Sequence, residues 1–338
     1  MNNTTKTVIG IVVLALIVWG IAALTKSKND AENSTEGQKI KVGLIAPLSG
    51  PVADYGEEIR KGAVAGAVEG VELVIEDEKC DPKEAVSAFQ KLTDFQDIHF
   101  ILGPECGSPQ EAIVPLLKGK EIISMVSAAA SSDLFAQSGG NFFNVQYSLQ
   151  DESKYVAEKM YELGYRNVAL VSYGNAFSQA HTDSFRKSFK GKIIFDTTII
   201  DPASDVSTEV AKIKAAKVDA IYSPDISFFF ASGAAKLEQY KVTAPVFSTY
   251  VAELPAVRTL VPNVYYSFPG DITGDQGAVY ELSKQASAIL TGAVVDCDGE
   301  YQCVKNKLVS SGLFNENGVY KRSIVLKQIK GGVPVDVK

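Results

Sequence analysis

From Ile40 to Thr249 the chain alternates short β-type runs with helical runs, and it does so in two successive series. The first has strands at Lys41–Ala46, Val71–Glu76, His99–Leu102, Glu121–Val126 and Asn141–Val145, with helical spacing in between, as in Gly56–Glu69. The second runs helix Asp151–Leu163, strand Asn167–Val171, helix Ser178–Phe189, strand Lys192–Thr198, helix Ser207–Ala216, strand Ala220–Ser223, helix Ser227–Tyr240 and strand Val246–Thr249. Parallel neighbours cannot be joined by a tight turn, so this alternation demands parallel sheets with crossover helices on both faces. Two series predict an α/β chain of two doubly wound, Rossmann-like lobes. Asp81-Pro82-Lys83-Glu84 and Ser108-Pro109-Gln110-Glu111 both read as helix starts, with Asp81 and Ser108 as caps. After Thr249 the pattern changes. Asn317-Gly318 signals one hairpin, and Ser323–Ile329 with Gly331-Gly332 a second, so a terminal antiparallel ribbon packs on one lobe.

The length of 338 residues suits two domains, and 46% hydrophobic residues exclude bulk disorder. Val8–Leu24 is a 17-residue run without a charge. As a helix it spans roughly 25 Å, the short end of what crosses a bilayer. Trp19 near its outer end suits an interface, and no small-x-small exit follows clearly, which favours an uncleaved transmembrane anchor over a cleaved signal. Residues 1–7 precede it, and 25–39 form a polar, flexible tether. Net charge is -7, and residues 1–39 carry four lysines against three acids, so the body carries -8. That sign argues against a nucleic-acid partner.

Four cysteines and two histidines leave little for a metal site, and none is expected. Cys80 follows the second strand and Cys106 the third, plausibly neighbours, so a bridge there is reasonable. Cys297 and Cys303 lie in a polar loop, DCDGEYQC, suited to a local disulfide. Four separate buried thiols are the alternative. Behind an export or anchor segment, an even count favours an oxidising compartment. His99 and His181 read as structural. No G-x-S-x-G, P-loop or H-E-x-x-H occurs, so an enzyme is not expected, and no cofactor is implied.

Ile40–Gly56 (IKVGLIAPLSGPVADYG), Glu76–Val86 (EDEKCDPKEAV) and Gly103–Cys106 together resemble the periplasmic Leu/Ile/Val-binding proteins, type I solute-binding proteins of ABC transporters. The similarity runs from Ile40 to the C-terminus. The resemblance implies two lobes joined by three hinge crossovers with ligand in the cleft, and a disulfide between Cys80 and Cys106. Lobe 1 would take 40–146 and 270–313, and lobe 2 would take 147–269 and 314–338. Together with the Val8–Leu24 anchor, it implies an extracytoplasmic, membrane-anchored monomer that captures a branched-chain amino acid or related amide or acid and delivers it to an ABC permease. A membrane-anchored ligand-sensing receptor working with a signalling partner is the alternative.

Residue by residue, the resemblance places Gly107, Ala129 and Ser131 at the ligand carboxylate, with Ser108 as a substitute for the hydroxyl missing at Gly107. Ser108 as helix cap is an equal reading. Tyr55 and Phe177 would line the side-chain pocket, with Ile226 at another position of its second-lobe wall. The family's ammonium-binding glutamate position is Val251 here, so Glu253 or Asp225 would have to supply the negative partner. If neither does, the ligand is not a zwitterionic amino acid.

Overall fold

The computed structural model describes residues 39–337, apart from 202, 226–232, 261–262 and 275. The 8–24 span, nearly all of the 25–39 tether, and Ile226 lie outside the described residues. Among the described residues no helix is long and apolar enough to cross a membrane. Residues Lys41–Lys338 form one compact unit.

Within that unit the strands build two sheets. The first contains β1 (Ile40–Ala46), β2 (Val71–Asp77), β3 (Phe100–Leu102), β4 (Ile123–Val126) and β5 (Phe142–Asn144), in the order β2-β1-β3-β4-β5. The pairs β1–β3, β3–β4 and β4–β5 are parallel. The second contains β6 (Asn167–Tyr173), β7 (Lys192–Ile199), β8 (Ala220–Tyr222), β9 (Val246–Ser248), β10 (Asn263–Pro269), β11 (Ile324–Lys330) and β12 (Val333–Asp336), in the order β12-β11-β10-β9-β8-β6-β7. It is parallel from β10 to β7, and β11 and β12 join antiparallel, which is the ribbon that Gly331-Gly332 signals. Each sheet has its own apolar core. Ile45, Phe89, Ile101, Ile113 and Val126 cluster around the first, and Val156, Leu170, Phe185, Tyr222 and Phe247 around the second.

Several local readings are corrected. The Gly107–Leu117 helix begins one residue before Ser108, with Cys106 at the cap and no side-chain cap bond, so Ser108 is not the cap. Asp81 does cap its helix, accepting from the N–H groups of Lys83 and Glu84. The polar stretch around Cys303 is a helix, Tyr301–Ser310, capped by Glu300, because that carboxylate satisfies the N–H groups of Gln302 and Cys303. The Asn317-Gly318 turn lies beside β5: Gly318 O accepts from Asn144 N at 2.9 Å and Tyr320 N donates to Asn144 O at 2.8 Å. The chain therefore still pairs with the edge of the first sheet at Tyr320 before it enters β11.

The return to the first sheet is made by the Ala278–Asp296 helix, which lies against Ala53–Gly66. A Cβ on Gly62 would sit 2.3 Å from Tyr280 O, and one on Gly66 2.1 Å from Lys284 O, so the helices meet backbone to backbone. Ser283 and Ser287, one turn apart, donate across the seam to Ile59 O and Ala63 O, both at 2.7 Å. Glycine on one helix and hydroxyls on the other thus fasten a segment more than 200 positions away in sequence.

Both disulfides form, with Cα–Cα distances of 5.4 Å for Cys80–Cys106 and 5.7 Å for Cys297–Cys303. The strands preceding Cys80 and Cys106 are not neighbours, since β1 lies between them. The bridge spans the end of β1 through the loops. Closing a 26-residue separation restricts the unfolded chain by roughly 3 kcal/mol on the loop-entropy account. A Cys80→Ser/Cys106→Ser double variant is expected to lose about that much stability in urea unfolding; a midpoint unchanged from the parent would refute it.

Candidate functional site

The carboxyl ends of β1–β4 face those of β6, β8 and β9 across a cleft of about 370 Å³. Open parallel sheets place their loops at this end, where strand order reverses and backbone donors are left unpaired. In the first lobe those donors are met by carboxylates. Asp77 accepts from Leu48 N at 2.9 Å and Ser49 Oγ at 2.5 Å, holding the β1 loop. Lys79 and Cys80 both take left-handed backbone (φ 51° and 58°), turning the chain toward Cys106. Glu78, fully buried, accepts through Oε1 from Cys106 N at 3.0 Å and Glu105 N at 3.2 Å. Glu105 accepts from Ser127 N at 3.1 Å and Ala128 N at 2.8 Å, and from Ser127 Oγ at 3.0 Å. Two glutamates and one disulfide thus tie together the loops after β2, β3 and β4.

Burial, partly offset by the bonds from Ser127 and Ala128, lifts the Glu105 carboxyl to about 7. Burial and then the charge of Glu105 push Glu78 well above the usual carboxylate range. The phenol of Tyr55 is likewise raised, by burial and then by Tyr250.

In the second lobe, Asn175 caps the Ala176–Ser188 helix by accepting from Ser178 N at 2.8 Å. Its Nδ2 donates to Asp225 Oδ2 at 2.8 Å, which brings the loops after β6 and β8 together. Tyr250 and Val251 lie in the 3-10 turn Tyr250–Glu253 after β9. The Tyr250 hydroxyl crosses into the first lobe, where it accepts from Ala129 N at 3.4 Å. Phe177 packs edge-on against His181, their centroids 4.5 Å apart.

Of the residues singled out by sequence, Tyr55, Gly107, Ser108, Phe177, Asp225 and Val251 line the cleft together. Ala129 is buried beside the lining residue Ala128 and meets Tyr250. Ser131 does not line the cleft, and its Oγ accepts from Gln150 Nε2 at 2.7 Å. Glu253 points elsewhere: it accepts from Tyr266 Oη at 2.6 Å and lies 3.8 Å from Lys327 Nζ. Of the two acids considered for a ligand ammonium, Asp225 alone borders the cleft. The sequence reading missed Glu105, Tyr173, Asn175 and Tyr250. Asn175-x-x-Ser178 is a legible cap signal, and an acid in the otherwise apolar ILGPEC run was a clue to Glu105. Nothing local pointed to Tyr250.

A family model described as periplasmic binding protein matches residues 39–261. The chain belongs to that family. The Leu/Ile/Val-binding protein of Citrobacter freundii is 28% identical over 209 residues, 56% of this chain and 55% of that protein. The Leu/Ile/Val-binding protein of Escherichia coli K12 is 27% identical over 208 residues, with 56% and 55% covered. The chain thus spans about half the length of the curated relatives it matches. The same fold occurs in a leucine-binding protein of Thermotoga maritima (TM-score 0.79, 17% identity, 88% of this chain and 98% of that one). It recurs in an R. palustris solute-binding protein in complex with benzoate (TM-score 0.78, 19% identity, 88% and 95% covered).

Below its folded value of about 7 but above the ordinary 4.5, Glu105 keeps a proton that the unfolded chain has released. Its contribution to stability is therefore full at low pH and declines as pH rises from about 4.5 to 7, by up to roughly 3 kcal/mol. Glu105→Gln, uncharged throughout, keeps an acceptor for Ser127 and Ala128. Comparing urea midpoints at pH 5 and pH 8, the variant is expected to gain on the parent at pH 8. An identical difference at both pH values would show that Glu105 does not titrate with folding.

Proposed function

We propose that this chain is the substrate-binding protein of an ABC transporter, capturing a small ligand between its lobes for a permease in the membrane. The carrying observation is the cleft itself, lined from both lobes by strand-end loops: Tyr55, Glu105 and Ser108 on one side, Tyr173, Phe177 and Asp225 on the other. Three crossovers join the lobes, and bending at them would close the walls on a ligand. Membership of the periplasmic binding protein family and two disulfides support an extracytoplasmic location. On this reading Val8–Leu24 is the anchor that keeps the binder at the membrane, and the protein acts as a monomer without a cofactor.

The relatives carry names of binding proteins for Leu, Ile and Val, and one structural neighbour holds benzoate. A screen should therefore span amino acids, carboxylates, amides and amines. A ligand that binds only the folded state stabilises it by about 2.7 kcal/mol at a hundredfold excess over Kd. Thermal unfolding of the full chain with each compound at 1–10 mM (order-of-magnitude doses) is expected to give a rise of several degrees for at least one class. If no class moves the midpoint, the transport reading falls.

A further inference from the structure

Two of the groups that the resemblance offers to a ligand carboxylate, Ala129 and Ser131, are engaged from within this chain, a third, Gly107, is crowded by Phe177, and Ser108 still lines the cleft. A Cβ at Gly107 would lie 3.0 Å from both N and Cβ of Phe177, so the backbone of the second lobe rests on that helix start. Ala129 N–H faces the Tyr250 hydroxyl, and Ser131 Oγ takes the Gln150 amide. Pro109 removes one further donor from the helix's first turn, and Glu105 lies two residues before it, its carboxyl opposing an anion there.

What borders the cleft has the opposite preference. Its charged lining residues, among those described, are Glu105 in the first lobe, Asp225 in the second, and Lys79. Lys79 is half exposed and pairs with Glu84 at 3.4 Å. Residues 226–232 (ISFFFAS), which continue from Asp225, contain no basic side chain. Beside Glu105, the fully buried Glu78 has an Oε2 without a hydrogen-bond partner, and its neighbours Lys79, Cys80, Glu105 and Cys106 all border the cleft. Four rings share the lining: Tyr55, Tyr173, Phe177 and Tyr250. A desolvated cation needs opposite charge nearby, and aromatic faces attract it further. A carboxylate would find two acids and no buried cation.

We propose that the cleft selects a small organic cation lacking a carboxylate, an alkyl- or quaternary amine, held between Glu105 and Asp225 against the aromatic lining. This rests on reading the cleft as a ligand site. Glu105 and Asp225 supply the charge from opposite lobes, so binding the cation also draws the lobes together. Leucine keeps an ammonium but adds a carboxylate that would sit among the acids of the lining, so it binds more weakly than the matching amine.

The test is titration calorimetry on the full chain with choline, tetramethylammonium, isoamylamine, leucine, isovalerate and isovaleramide. At least one of the three amines is expected to bind tenfold or more tightly than leucine and isovalerate. Asp225→Asn is expected to weaken that amine tenfold or more while changing isovaleramide less than threefold. Leucine or isovalerate as the tightest probe overturns the cation assignment and leaves the binding-protein reading standing. So does a thermal-shift hit confined to another class when all three amines fail. Failure of every probe and of the wider screen removes both. The selectivity series uses the unaltered chain, so it decides the matter even if Asp225→Asn does not fold.

Discussion

The cleft depends on two buried carboxyl groups, Glu78 and Glu105. The loops after β2, β3 and β4 are irregular, so their N–H groups have no ladder or helix to bind them. Glu78 supplies an acceptor for Glu105 and Cys106, and Glu105 supplies one for Ser127 and Ala128. Unpaired buried donors cost about 1–3 kcal/mol each, so this chain of acceptors decides whether the three loops can be held rigid. The cost is carried by the carboxyls, whose burial makes ionisation unfavourable. The wall of the cleft thus carries carboxyl groups because its loops need acceptors.

A third buried carboxyl, that of Glu152, does the corresponding work at the crossovers. Glu152 Oε1 accepts from Tyr147 Oη, in the first crossover, and from Ser267 Oγ, in β10 just before the second. Its Oε2 lies 3.4 Å from His181 Nε2 in a fully buried contact, and Ser153 and His181 Nδ1 are 2.7 Å apart. Burial lifts Glu152 to about 8 and lowers His181 to about 3, which favours the neutral form of each, so the contact between them is not an ion pair. Arg322, in the third crossover, reaches Gln285 of the return helix and lies 3.4 Å from Asp271 of the second crossover. All three chain passages between the lobes therefore carry buried polar contacts to one another or to the adjoining elements. A Ser-His-Glu grouping of this kind, sealed beneath Phe177, has no access for a substrate and serves the scaffold.

The alternation of strand and helix was legible because each crossover is a local event with its own cap and period. So were the cysteine pairs, the Asp81 cap, and the placement of Tyr55, Phe177 and Asp225 at strand ends. What was not legible depends on distant partners. Ser131 looked available until Gln150, 19 positions on, was seen to bind it. Glu253 looked like a ligand partner, but Tyr266 on β10 claims it. Tyr250 gives no local signal at all, since its significance is a contact with Ala129, 121 positions away. The Ser108 cap failed for a different reason: the turn from Cys106 already puts Gly107 in the helix, so the hydroxyl arrives too late to cap it.

The departures from the Leu/Ile/Val-binding pattern form one consistent set. Glycine at 107 gives up a hydroxyl, and the approach of Phe177 leaves a Cβ there tightly placed, 3.0 Å from its N and Cβ. Valine at 251 removes the acid that the pattern places there, while Tyr250 beside it sends a phenol to the Ala129 loop. The hydroxyl is absent at 107, the Ala129 N–H faces Tyr250 and the acid is absent at 251, so three parts of the clamp that the resemblance implies differ together. The acids that border the cleft are Asp225, held by Asn175, and the buried Glu105. Because Asn175 is also the cap of the Ala176–Ser188 helix that carries Phe177, the acid and the ring that faces Gly107 are positioned by the same side chain.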